Sequence, residues 1–336
     1  MQLSFSFIIP VYNRPEEIRE LLESLCKQTY TKRFEVVIVE DGSTIPSDSV
    51  SSEYNGILEI SYFQKPNSGP GDSRNYGMRL AKGNYFIVLD SDCILPPEYL
   101  ERVEKSLEKE FVHCYGGPDA AHDSFSDIQK AINYAMTSFF TTGGIRGSKK
   151  SINKFQPRSF NMGISKETFN TVGGYGNIHP GEDPDLTIRI WNKGFTTKLI
   201  PEAYVYHKRR IDWHKFYVQV NKFGMVRPIL NKWHPQTAKL TYWFPSLFCF
   251  GFILALGFSF LGILWPLVLF GIYFFILFVD ALAKTRSFMI ALLALFATGI
   301  QFLGYGYGFL KSTVHITFRK SAPQDIFPKL FFKTNS

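Results

Sequence analysis

Two carboxylates with one residue between them, Asp90 and Asp92, close the apolar run Phe86–Leu89 in "FIVLDSDC". Like charges so close repel unless positive charge lies between or beside them. A divalent cation meets that need, and hard carboxylate oxygens suit Mg2+ or Mn2+. Asp41 ends a second apolar run, "VVIVEDGS" (36–43), and "GPGDSRNYG" (69–77) is a glycine-rich helix start, whose free N–H groups suit a phosphate or ribose. Each piece also has a plainer reading. Asp-Gly is a turn signal, a glycine-rich stretch can simply begin a helix, and Asp-Ser-Asp can be a solvated loop.

The elements that would position these residues alternate. Apolar stretches at 5–12, 34–43, 57–64 and 84–92 read as strands, and 14–28, 69–83 and 97–110 read as helices. Pro15 and the acids after it suit a helix N-terminus, and Gly83 a helix end. Near-continuous apolar strands separated by helices predict an α/β fold with a mainly parallel central sheet covered on both faces. In such sheets ligands bind beyond the carboxyl ends of the strands. Tyr12, Asp41, Asp90 and Asp92 all fall there, so clusters distant in sequence are expected to meet on one edge.

In this order, "IIPVYNRPEEIRELLESL", "VVIVEDGS", "GPGDSRNYG" and "VLDSD" resemble the family 2 glycosyltransferases of the GT-A (Rossmann-like) fold. "FNMGISKETFNTVGGY" (160–175), "GEDPDLTIRIWNKG" (181–194) and "AYVYH" (203–207) continue the resemblance, which covers about residues 3–210. It implies a nucleotide-sugar donor. By position, Pro10 and Tyr12 would flank the base and Asp41 would accept from its imide N–H. Arg74 and the backbone near Gly71 would line the nucleotide, Asp90 would lie near the ribose or metal, and Asp92, the last acid of a DXD motif, would bind Mg2+ or Mn2+. His207 would add a metal or phosphate contact. Asp183 of "GED" would be the base that takes the proton of the attacking hydroxyl, with inversion at the anomeric carbon. Glu182 and Gly163 would shape the acceptor or sugar site. The plainer reading of "GED" is a helix start decorated with acids. His113, His122, His179, His214 and His234 match no such position and are expected to be structural or superficial. "GGPD" (116–119) is expected to face the sugar or acceptor, and the loop 142–154 to close over substrate or to be mobile.

The composition of the 336 residues is uneven: residues 241–310 hold three charged side chains, Asp280, Lys284 and Arg286, among many Phe, Leu, Ile and Gly. Segments at about 243–261, 263–282 and 288–310 are each about long enough to cross a bilayer, at roughly 20 residues per span. The first two are expected to form a tight hairpin near Gly262. Ahead of them, residues 211–240 interleave basic and aromatic residues as an amphipathic membrane-surface segment does. The expected organisation is thus a catalytic domain over 1–210, a surface segment over 211–240, a transmembrane region over 241–310 and a basic tail over 311–336. A net charge of +8 then points to membrane lipid and a phosphorylated substrate rather than nucleic acid. The N-terminus reads as a first strand, not a signal peptide. The four scattered cysteines read as reduced core residues of a cytosolic domain.

These expectations describe a multi-pass inner-membrane enzyme with its catalytic domain in the cytosol. It would transfer a single sugar to a membrane-held or membrane-proximal glycan or lipid-linked acceptor, in cell-surface polysaccharide or glycoconjugate synthesis. Processive synthases of the family carry Gln-x-x-Arg-Trp before their channel helices, and "QVNKF" (219–223) departs from it. A processive synthase and a non-catalytic membrane scaffold are the alternatives. The basic residues after the third apolar segment conflict with the positive-inside rule if all three segments cross.

Overall fold

The computed structural model describes residues 2–120, 125–142, 155–207, 212–319 and 321–332. The chain begins β1 (Phe5–Val11), α1 (Pro15–Cys26), β2 (Glu35–Asp41), α2 (Asp48–Ser52), β3 (Glu59–Lys65), α3 (Pro70–Leu80) and β4 (Tyr85–Leu89). There follow β5 (Cys93–Ile94), α4 (Tyr99–Lys109), β6 (Cys114–Gly116), β7 (Asp119–Ala120), α5 (Asp127–Thr137) and α6 (Phe139–Thr142). Next come β8 (Asn161–Ser165), α7 (Lys166–Val172), α8 (Glu182–Asn192), β9 (Thr197–Leu199), β10 (Val205–His207) and α9 (Trp213–Trp233). Three apolar helices follow, α10 (Phe244–Phe260), α11 (Trp265–Thr285) and α12 (Phe288–Phe318), and then a short helix, α13 (Pro323–Ile326).

Two compact units divide these elements. One holds Met1–His122, Lys150–Lys208 and Phe331–Ser336, the other Asp123–Lys149 and Arg209–Leu330. One break between the units follows residue 208. The composition gave no sign that 123–149 groups with the later helices, or that residues 331 and 332 return to the first unit. The first grouping has a packing cause: Ala131 and Tyr134 of α5 share a core cluster with Leu277, Ala281, Ile290, Ala291 and Ala294.

In the first unit, among the described residues, strands form a sheet of order β3-β2-β1-β4-β8-β6-β9 and a small sheet of order β5-β10-β7. The β1, β2, β3 and β4 pairings are parallel, whereas β8 runs antiparallel to both β4 and β6. Each face has its own core. Phe7, Ile9, Val36, Ile38, Ile87 and Leu89 pack toward one, and Ile8, Val37, Val39, Phe86 and Val88 toward the other. Burial on both faces is why these strands read as continuous apolar runs rather than alternating ones. All four cysteines are free, Cys93 and Cys114 fully buried.

In the second unit α10 and α11 form the expected hairpin, with Gly262 at φ +80 in its turn. Among the described residues three helices are long and apolar enough to cross a membrane, and α12, at 31 residues, outruns the expected third segment. The surface segment is largely α9, which buries Phe216, Val220, Ile229 and Leu230. Small residues let α9 and α12 approach backbone to backbone. A Cβ at Gly224 would stand 2.2 Å from the Tyr305 carbonyl oxygen, and one at Gly308 2.3 Å from that of Asn221. Asn221 Nδ2 donates to the Gly304 carbonyl at 3.0 Å. Gly224→Val is therefore expected to push the two helices apart and to destabilise the unit by about 1–3 kcal/mol, read as a lowered Tm in detergent.

Candidate active site

The carboxyl edge of the sheet gathers most of the residues singled out from the sequence, and Arg74 joins them. It lies in the second turn of α3 and is buried. Its Nη2 donates to Asp90 Oδ1 at 2.8 Å, and Nη1 lies 3.6 Å from Glu182 Oε1. Its guanidinium carbon stands 5.3 Å from the centre of the Tyr175 ring. Burial opposes the charge, but Asp90, Tyr175 and Glu182 outweigh it and raise the pKa, so the cation persists. One buried positive group thus links the acid after β4 to the acids that start α8.

Glu182 and Asp183 open α8 behind Gly181, whose φ of +121 suits glycine. The two acids are neighbours in unlike surroundings. Burial raises the pKa of Glu182, but His179, which bonds its Oε1 at 2.8 Å, and Arg74 bring it below the usual carboxylate range. Burial pushes Asp183 up to about 6, and the negative Glu182 adds to the rise, against the opposing effects of Arg74 and Ser159. Asp183 Oδ1 is buried and has no hydrogen-bond partner among the described residues. Paired acids driven apart in this way divide into one that stays ionised and one that can exchange a proton near neutral pH.

Asp41, expected to accept from the base, accepts from three donors of the protein itself. Its Oδ1 accepts from Lys65 Nζ at 2.6 Å and Ser68 N at 2.9 Å, and its Oδ2 accepts from Gly69 N at 2.9 Å. It therefore anchors the loop that leads into α3, and Gly69 caps that helix at φ +93. Gly71 sits in the first turn, where a Cβ would meet the Gly176 carbonyl oxygen at 3.1 Å. Beyond β2 and β3 a cleft of about 250 Å3 is lined by Glu40, Gly42, Ser43, Pro46, Gln64 and Lys65. Pro10 pairs with Val39 near the end of β1, and Tyr12 just past it is exposed. Asn13, at φ +54, fastens this exit to the neighbouring loop by accepting from Thr44 N at 2.8 Å and Ile45 N at 3.0 Å.

Asp92 accepts from Arg14 Nη1 at 2.7 Å. Each acid of the Asp-Ser-Asp pair thus faces its own guanidinium, which answers in protein terms the repulsion posed by the sequence. β10 sets the His207 backbone opposite Cys93, next in sequence to Asp92. Among the described residues no three His, Cys, Asp or Glu side chains form a ready metal cage. Mg2+ is usually held by one or two carboxylates together with substrate phosphates. Asp90 and Asp92 offer oxygen donors of the kind such a cation takes, and in this structure each is engaged by a guanidinium.

Gly163 is not brought to this cluster. It pairs with Ile87 in mid-strand, and a Cβ there would lie 1.9 Å from the Tyr115 ring, so its small size has a packing cause. Gly117 of "GGPD" likewise packs on the Ala203 carbonyl oxygen. The loop 142–154 falls, from residue 143 on, outside the described residues.

Several participants escaped the sequence reading. Arg14 stands at the start of α1, where acids are favoured, and that oddity was its signal. His179 precedes Glu182 by three residues and touches it, so it is more than a superficial histidine. Nothing in "KLFFK" marked Phe332, yet its N–H donates to the Asn177 carbonyl at 3.0 Å. Its ring lies against Gly69 and 5.8 Å from the His179 ring.

Residues 6–172 match the family described as Glycosyl transferase family 2. This is a family 2 glycosyltransferase domain. An uncharacterized glycosyltransferase of Haemophilus influenzae is 28% identical over 211 residues, covering 60% of this chain and 67% of that protein. One of Rickettsia felis is 35% identical over 137 residues, covering 40% of this chain and 22% of the relative. The chain therefore spans well under two thirds of that relative's length. The mannosyltransferase PcManGT of Pyrobaculum calidifontis, solved with GDP-Man and Mn2+, superposes with a TM-score of 0.58 at 16% identity, covering 96% of this chain and 89% of that one. At that identity the likeness concerns the fold, which is GT-A.

Removing the joining cation leaves buried acids uncompensated. Arg74→Met is expected to cost about 3–5 kcal/mol of stability, read by denaturant unfolding. Adding Glu182→Gln to it is expected to restore part of the loss.

Proposed function

We propose that the chain is an inverting, metal-dependent glycosyltransferase that moves one sugar from a nucleotide-sugar donor to a membrane-held or membrane-proximal acceptor. The observation that carries this reading is the acid pair opening α8, with Asp183 poised near neutrality beside an ionised Glu182, at the carboxyl edge of a family 2 domain. The acceptor hydroxyl gives its proton to Asp183 as its oxygen attacks the anomeric carbon, and the bond to the nucleoside diphosphate breaks on the opposite face. Glu182 stays ionised, and held by His179 and Arg74 it keeps the neighbouring carboxylate basic. Arg74 also brings positive charge to the edge where the diphosphate would lie.

Asp92, with Asp90 beside it and His207 as a further candidate, would hold Mg2+ or Mn2+. When bound, the cation supplies positive charge to the departing diphosphate. The Mn2+ and GDP-Man held by the Pyrobaculum mannosyltransferase support the use of a divalent cation, and the oxygen donors of the two acids suit it. Pro10, Tyr12 and the cleft beside Gly42 would take the nucleoside end, with Asp41 setting the Ser68–Gly71 backbone that faces it. The apolar helices support placement in the cell membrane, with the catalytic unit in the cytosol where nucleotide sugars are made. The absence of Gln-x-x-Arg-Trp supports single transfer over processive synthesis.

The test is nucleotide release by the purified full chain from a panel of UDP-, GDP- and dTDP-sugars, with and without Mn2+ or Mg2+. Release from one donor that requires both metal and Asp92 is expected. Donor-independent silence together with absent nucleotide binding would point instead to a scaffold. Asp183→Asn is expected to lower the rate by about 10²–10⁴, whereas a scaffold would not change. The pH profile carries a separate prediction. Asp183 must be unprotonated to act, so kcat/KM is expected to rise tenfold per unit below about pH 6 and to level above it. Its proton is held more tightly folded than unfolded, so this group's effect on stability has the opposite sign and weakens the fold as pH rises toward 6.

A further inference from the structure

The contacts of α12 define how it runs past the α10–α11 hairpin. Near its start, Phe288 meets Phe278 at 5.4 Å, and Ile290, Ala291 and Ala294 pack with Leu277 and Ala281. These partners belong to the last turns of α11, the open end of the hairpin. In mid-course, the Phe302 ring lies 4.8 Å from Phe248 and 6.5 Å from Tyr273. Further on, Ser246 Oγ donates to the Gly306 carbonyl at 3.0 Å, and Phe309 meets Trp243 at 5.0 Å. Those partners lie at the first turn of α10, again the open end. From one end to the other, α12 thus meets the base, a shallow middle and the base once more. A third antiparallel span would instead have descended from the base to the turn at Gly262.

Three further observations agree. The same stretch, Gly304 to Gly308, packs on α9 at Tyr217, Val220 and Asn221, and α9 carries Lys215, Lys222, Arg227 and Lys232. A helix so charged does not sit in hydrocarbon. Leu292, Phe296, Leu303, Tyr307, Leu310, Val314 and Phe318 are exposed at helical spacing, so one apolar stripe follows α12 along most of its 31 residues. From Leu292 to Phe318, at 1.5 Å per residue, the stripe is about 39 Å long, beyond a hydrocarbon core of about 30 Å. Lastly, the chain leaves the first unit after Lys208 and rejoins it at Phe331. There Phe331 bridges to Ile178 and Phe332 bonds Asn177. A segment with both ends in one folded unit crosses a membrane an even number of times.

We propose that α12 does not cross the bilayer but lies along one leaflet, laid across the open end of the α10–α11 hairpin with its apolar stripe against lipid. The chain then crosses twice, and only the uncharged turn Leu261–Leu264 reaches the far side. Lys239, Lys284, Arg286, Lys311 and Arg319 all fall on one side, which removes the conflict with the positive-inside rule that three crossings create.

The topology can be tested without any sugar-transfer assay, so it stands or falls apart from the proposed activity. In the full chain, fluorescent-protein and alkaline-phosphatase reporters are placed after Ser336 and, separately, in the turn at Gly262. Fluorescence without phosphatase activity after Ser336, with phosphatase activity at Gly262, is the expected pattern. An active phosphatase after Ser336 overturns the proposal. Depth gives a second readout. Nitroxides at Leu292→Cys, Leu303→Cys and Val314→Cys, in a cysteine-free full chain in vesicles, are expected to sit at similar shallow depth. Leu303 at the bilayer centre, with the other two near opposite faces, overturns it. Should the cysteine-free chain fail to fold, the reporter pair still decides.

Discussion

A single buried guanidinium organises the catalytic unit. Arg74 is the cation between an acid that follows a strand, Asp90, and the acids that begin a helix much later in the chain, at Glu182. Three carboxylates could not collect on one sheet edge without it, because burying like charges together is costly unless an opposite charge is buried with them. Arginine suits the task better than lysine, since its planar fork can address two acids at once and still lie over an aromatic ring. The site follows from that arrangement. Asp90 and Glu182 take the cation's charge, and Asp183, one residue farther along α8, is left among burial and a negative neighbour, which is what raises its affinity for a proton.

Much of this was legible in the sequence, and the limits were physical. Strands such as "EVVIVED" and "YFIVL" could be read because burial on both faces leaves no polar alternation. Their carboxyl ends could be placed because parallel strands all point the same way. The acids at 41, 90 and 92 stood out because charge at the end of an apolar run is conspicuous, whereas those at 182 and 183 were singled out only by the family resemblance of "GED". Their partners were not. Lys65, Arg14 and His179 are ordinary surface residue types whose meaning depends on what the fold sets opposite them. Asp41 shows the same limit from the other side. Its position was read correctly, while its hydrogen bonds to Ser68 and Gly69 depend on a loop conformation that no spacing encodes. Gly163 was drawn into the site by its motif, although a ring from the neighbouring strand accounts for its size.

The apolar half divides along the same line. Composition reveals stretches that avoid water, so three segments stood out, and it says nothing about the direction in which a helix leaves a tight turn. Arg286 and Ser287 join α11 to α12 with Arg286 at φ +54, and that corner, not hydropathy, decides whether the next helix folds back beside its predecessor or runs off at an angle. The small residues of α12 were visible as glycines in a greasy segment. Their use, close approach to a lysine-bearing helix, required the structure.

Residues 331 and 332 carry a consequence for the order in which the molecule is made. They follow α10, α11 and α12 in the chain, yet they furnish the ring against the cap of α3 and a bridge to the segment just before α8. The strands of the sheet all precede α10 in the chain, but these closing contacts must wait until all three apolar helices have been synthesised. The packing against the cap of α3 is thereby a late event in folding, dependent on a segment made long after the strands it serves.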